Sequence, residues 1–130
     1  MISLESEAVR QFLTERHLCT LTTLRRDGSP HVVPVGATLD GPAGLMRVIS
    51  SRGSAHVRHI AAGADRVAIC QVDGPRWITI EGKAQVVSAP DAVEEAVRRY
   101  AARYRQPRVN PERVAIEVSI TKVLGSSVFR

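Results

Sequence analysis

Three Asp-Gly dipeptides, at residues 27–28, 40–41 and 73–74, punctuate this chain, and β-branched runs stand around them. Asp-Gly tolerates the positive φ angles of tight hairpin turns, so the chain is committed to antiparallel neighbours. The first turn joins a strand over residues 18–24 to a return strand over 31–39. The second leads into a strand over 45–50. The third separates a strand over 67–73 from a long one over 76–87. A sixth follows near the end, where Val114, Ile116, Val118 and Ile120 alternate with Ala115, Glu117, Ser119 and Thr121. That period of two marks a strand with one buried face. Pro34 cannot donate to a ladder, so the return strand is expected at an edge, at a bulge, or beside something other than a strand.

Helices fill the remaining intervals. Ser3 is placed to cap a first helix whose Leu4, Ala8, Val9, Phe12 and Leu13 form an apolar stripe. Ser54 can cap a short second one that Gly63 ends. Ser88-Ala89-Pro90-Asp91 has the spacing of a capping box, and the helix behind it is expected to run to about residue 105. Its periodicity turns Ala92, Val93, Ala96, Val97, Tyr100, Ala101 and Tyr104 inward and Arg98, Arg99, Arg103 and Arg105 toward solvent. The expected fold is mainly β with flanking helices: six antiparallel strands closing into a small barrel, as one domain over residues 1–130. A barrel of that size is filled by its own side chains. A large ligand then lies outside it, in a groove completed by a second copy.

The stretch best suited to such a ligand is residues 47–59. It passes from the strand Arg47-Val48-Ile49-Ser50 through the turn Ser51-Arg52-Gly53-Ser54 into a helix carrying His56, Arg58 and His59. Hydroxyls, backbone N–H groups and cations collect there, which suits a phosphate; an ordinary basic turn is the competing account. Lys and Arg exceed Asp and Glu by 18 to 13, giving net charge +5, so polyanions are favoured partners. Aromatic residues are only 4% of the chain, and no ladder for stacking bases is visible, so nucleic acid is permitted rather than indicated. Cys19 and Cys70 suit buried free thiols, and with no apolar leader or bilayer-spanning run a cytoplasmic protein with no membrane partner is expected. His56 and His59, three apart, could share a metal but have no third ligand nearby in sequence, so no metal is expected. No nucleophile with its base and no paired carboxylates appear, and no catalytic residue is assigned. Any reactivity would come from a cofactor.

Longer blocks carry a resemblance. The hairpin Ser29-Pro30-His31-Val32-Val33, the run Arg47-Val48-Ile49-Ser50 with its Gly-Ser turn, Cys70-Gln71-Val72-Asp73-Gly74, Arg76-Trp77, Arg99-Tyr100-Ala101 and Val123-Leu124-Gly125-Ser126 together resemble the split β-barrel flavin and deazaflavin oxidoreductases. Pyridoxamine 5′-phosphate oxidase belongs to that superfamily, whose fold is the FMN-binding split barrel. The nearest likeness within it is to the actinobacterial F420-dependent biliverdin reductases. The resemblance implies a homodimer with cofactor grooves at its interface. It implies that Arg47, Val48, Ile49, Ser50 and Ser51 line a tricyclic ring, that Gly53, Ser54, His56 and Arg58 hold its phosphate, that Gln71 reaches the ring edge, and that Trp77 covers the ring from the partner subunit. His56 stands where relatives more often carry Lys, which shifts the expected phosphate charge toward Arg52 and Arg58. The implied cofactor is coenzyme F420, with FMN as the alternative. The implied reaction is hydride transfer to a conjugated substrate such as biliverdin. An FMN-binding oxidoreductase or flavin carrier, and a non-catalytic basic barrel that binds nucleic acid, are the alternatives. The C-terminal Arg/His substrate segment of pyridoxamine phosphate oxidase has no counterpart, so vitamin B6 chemistry is not expected.

Overall fold

A computed structural model describes residues 2–130. In chain order the elements are α1 (Glu7–Phe12), β1 (Cys19–Leu24), β2 (Pro30–Val35), β3 (Ala37–Asp40), β4 (Leu45–Ser51), α2 (Ala55–Ala61), β5 (Arg66–Asp73), β6 (Arg76–Val87), α3 (Pro90–Arg103) and β7 (Arg113–Gly125), with a 3-10 turn at Ser127–Phe129. The strands form one sheet in the order β2-β1-β5-β6-β7-β4-β3, antiparallel throughout. The two strands at the ends of that order are consecutive in the chain and joined by Gly36. That link draws the ends of the sheet together, so it curls into a barrel with a seam. Of the described residues, no helix is long and apolar enough to cross a membrane.

The sheet has seven strands rather than the expected six, because the return strand over 31–39 is two strands. Gly36 marks the break. A Cβ there would lie 2.6 Å from Tyr100 Cε2 and 2.9 Å from Tyr104 Cε2, so two rings of α3 seat directly on bare backbone. Beyond Gly36 the chain leaves β1 and pairs with β4 instead. Pro34 does lie on an edge strand, opposite Thr20.

Alternate residues of the strands fill the interior. Leu21, Met46, Val48, Ile69, Ile78, Ile80, Ile116 and Val118 are all fully buried, and Phe12 of α1 plugs one end against Phe129. β6 and β7 stay paired through a bulge at Glu81/Gly82. There a Cβ on Gly82 would sit 2.3 Å from the Ser119 carbonyl oxygen, so the close crossing of these strands requires glycine.

Three helix-end expectations change. Ser6, not Ser3, caps α1: its hydroxyl accepts from the Val9 N–H, while Ser3 stabilises the preceding turn through the Glu5 N–H. Ala89 rather than Ser88 stands at the start of α3, so the capping box does not form, and the helix stops at Arg103. Ser54 begins α2 without a side-chain cap, because its hydroxyl lies 3.4 Å from the Ser50 hydroxyl instead. Gly63 closes α2 with φ 110°, as expected. Arg103, expected in solvent, turns back into the fold. Its guanidinium donates to the carbonyls of Glu15 and Ala37 and, at 2.5 Å, to Gln71 Oε1.

Candidate functional site

The seam leaves one strand edge open. β4 runs to Ser51, but its last partner on the β3 side is the Ala37–Val48 pair, so Ile49, Ser50 and Ser51 extend with β7 on one flank only. A groove of about 360 Å³ occupies the other flank. Pro34, Val35 and Gly36 form one wall, and Ser54 and His56 of α2 another. Tyr100, Pro107, Asn110 and Arg113 close it from the α3 side.

The groove is polar without being acidic. The Ser50 hydroxyl lies 2.7 Å from His56 Nε2, and Asn110 Nδ2 donates to the Ser51 hydroxyl at 2.6 Å. Arg113 is the guanidinium among its lining residues, and no carboxylate joins it among the described residues. At the exposed turn above, the Arg52 N–H donates to the Glu112 carbonyl and its guanidinium stands 3.7 Å from the Glu112 carboxylate. With seven residues, α2 contributes little dipole, so binding of an anion rests on hydroxyls, free strand-edge groups and guanidiniums.

A second ring system backs the groove. His31 of β2 stacks against His56, centroids 6.4 Å apart, and meets His59 edge-on at 5.1 Å. The Thr23 hydroxyl lies 2.9 Å from His59 Nδ1, while His31 Nδ1 is buried with no hydrogen-bond partner. Partial burial is the first cause, and the neighbouring imidazoles the second, of a His56 pKa below the ordinary 6.5. His56 is therefore neutral at pH 7. His59 is lowered in the same way, by desolvation first and then by His31, Arg25 and Arg58. A metal-like convergence occurs elsewhere, where ligand atoms of Glu15, His17 and Asp73 lie within 4.8 Å of one another. Arg76 already bonds both carboxylates there, holding the Glu15 pKa down at about 2, and so supplies the cation.

Of the residues singled out in the sequence, Ile49, Ser50, Ser51, Ser54 and His56 come together at the groove. Gly53 lies exposed in the turn above it, and Arg58, also exposed, stands one helical turn beyond Ser54. Arg47 points away, under α3, where it bonds Asp40 at 2.8 Å. The Val48 side chain belongs to the core. Gln71, expected to reach the ring edge, is only 1% exposed; its amide donates to the Phe12 carbonyl and accepts from Arg103. Trp77 is partly exposed at the start of β6, with its backbone N–H donated to the Ser126 hydroxyl. Sequence reasoning missed Gly36, Asn110 and Arg113. Asn110 stands in the Pro-rich break after α3, and Arg113 precedes the alternating residues that mark the last strand; only the fold brings both beside Ser51.

Known proteins share this architecture. The family profile described as pyridoxamine 5′-phosphate oxidase matches residues 6–127. An F420H2-dependent biliverdin reductase from Mycobacterium tuberculosis (strain CDC 1551 / Oshkosh) is 53% identical over 125 residues, 94% of this chain and 88% of that protein. The solved structure of an F420 reductase superposes with TM-score 0.74 at 25% identity, covering 92% of this chain and 98% of its own. A conserved hypothetical protein from Mycobacterium tuberculosis superposes with TM-score 0.79 at 22% identity, covering 96% and 86%; this last likeness speaks for the fold alone. With a family match spanning nearly the whole sheet and its helices, the chain belongs to the pyridoxamine 5′-phosphate oxidase family.

Proposed function

We propose that this protein is a cytoplasmic, homodimeric reductase that uses reduced coenzyme F420 to reduce biliverdin. The observation that carries the reading is the 53% identity, over 94% of the chain, to a biliverdin reductase of that cofactor dependence. The residues present fit an anionic, flat cofactor: the groove offers a strand edge without a partner strand, three serine hydroxyls and Arg113, and no carboxylate that would repel a phosphate. When bound, F420 supplies the hydride. The protein's part is to bind, orient and exclude water.

In this reading the free edge of Ile49, Ser50 and Ser51 meets the polar rim of the ring. Asn110 fixes the Ser51 rotor for that task at 2.6 Å. Gly53, Ser54, His56 and Arg58 gather the phosphate from the turn and α2. Arg47 and Val48 act from behind, one anchoring β4 to Asp40 and the other to the core. Gln71 is left outside the contact set, since both ends of its amide are already bonded.

The dimer is supported by the outer face of the sheet. Val72 pairs with Trp77, and the β1–β5 register, continued two residues past Thr20 and Cys70, sets Leu18 opposite Val72. Leu18 and Val72 are 64% and 62% exposed, forming with Trp77 an apolar row across β5, β6 and the residue before β1. Such a row is what a second copy covers, and it would present Trp77 of the partner subunit to the groove. Free cysteines at 19 and 70 agree with a reducing compartment.

Titration of the purified protein with F420 and with FMN, followed by biliverdin turnover with the reduced form of each, tests the proposal. F420 should bind more tightly and alone support turnover. Tighter binding of FMN, with turnover only on the flavin, would replace F420 by FMN in the assignment.

A further inference from the structure

A second open cleft, of about 510 Å³, lies between α1, β3 and α3 and shares no lining residue with the groove. Leu13, Leu39, Pro42 and Ala102 give it apolar walls, and Arg10, Arg98, Arg99 and Arg103 stand around them. The volume is within the range that encloses a small organic molecule.

Charge around this cleft does not balance. Asp40 bonds Arg47 and lies 3.2 Å from Arg99, while Glu95 bonds Arg98 and Arg99, both at 2.7 Å. Arg10 and Arg103 have no carboxylate partner among the described residues. Arg10 donates to the Glu5 carbonyl, and Arg103 to two backbone carbonyls and Gln71. Three guanidiniums, Arg47, Arg98 and Arg99, thus share two carboxylates, and Arg10 and Arg103 add two further charges with none. The surplus cations around the open cleft, with no carboxylate of the described residues left to meet them, point to an absent anion.

We propose that this cleft is a second ligand site, independent of the cofactor groove, for a small amphipathic monocarboxylate. Its carboxylate pairs with the Arg10 guanidinium and with Nη1 of Arg98, the one nitrogen of that side chain that Glu95 does not take, and its apolar body lies along Leu13, Leu39, Pro42 and Ala102. A fully ionic ligand would waste the apolar walls, and a neutral one would leave the surplus charge unmet.

Octanoate is the probe, titrated into the full chain and followed by calorimetry and amide chemical shifts, with butyrate and inorganic phosphate for comparison. Shifts should map to Leu13, Leu39 and Ala102, and octanoate should bind at least about tenfold tighter than butyrate because more methylene surface leaves water. The double variant R10Q/R98Q should lose about tenfold or more in octanoate affinity, as expected for removing charge-assisted contacts, and should bind F420 as the parent does. The proposal is overturned if the shifts fall on residues 49–56, if F420 displaces octanoate, or if the double variant binds octanoate unchanged. The chemical-shift map and the double variant's loss of octanoate affinity stand whether or not F420 is the true cofactor.

Discussion

At the scale of single residues, His56 sets a condition on ligand binding that a lysine in its place would not. Its pKa lies below 6.5 in the free protein, chiefly through burial, so at neutral pH the imidazole is mostly uncharged before a phosphate arrives. A phosphate beside it favours the imidazolium and raises that pKa in the complex. Binding therefore takes up a proton, and affinity for F420 rises as pH falls from the complex's pKa toward the lower free value. The gain can reach no more than about tenfold per pH unit for one site. His31 and His59 are the titratable groups packed against His56. Fluorescence titrations between pH 8 and pH 5.5 should show the rise in the parent protein and a flatter profile in H56Q. A steep profile surviving in that variant would move the effect to His31 or His59. The cluster at residues 47–59 was legible because hydroxyls, Gly and cations stand together in sequence. Arg103 and Gln71 were not: helical periodicity puts Arg103 beside Arg99, but its long stem carries the guanidinium back to carbonyls the helix does not own.

Among the elements, glycine decides where strands can cross or end. Gly82 lets β6 pass Ser119 at a distance no side chain permits. Replacing it with alanine forces the β6–β7 crossing apart, and chemical denaturation should register a loss of about 1–3 kcal/mol. Gly36→Ala instead meets the Tyr100 and Tyr104 rings. It should cost a similar amount, about 1–3 kcal/mol, and should weaken F420 binding too, since Gly36 lines the groove. A Gly36→Ala protein with parent-like stability would mean the rings shift freely. Turns and strand count were mostly readable, because Asp-Gly at 27–28, 40–41 and 73–74 announces hairpins. The break at Gly36 was not. It carries no turn signature and no positive φ, and its reason is a pair of tyrosines more than sixty residues away in the chain.

On the scale of the whole molecule, the exposed row Leu18, Val72 and Trp77 is the face through which two copies should meet. Sedimentation should give a dimer, and L18D/V72D should give a folded monomer, because neither side chain supports the core. If Trp77 of the partner subunit helps cover the ring, that monomer should also bind F420 more weakly. A monomeric parent protein would remove the second copy from the site.

The two prolines of β2 restrict how that meeting can occur. An outermost strand with bare amides invites another chain to zip alongside it, yet Pro30 and Pro34 deprive this one of two donors. Growth of the sheet into open-ended polymers is thereby discouraged, which leaves the face rather than the rim for the proposed pairing of two copies. Threonine at both positions should restore the bare rim, and light scattering on heating should then report earlier and larger aggregates than in the parent.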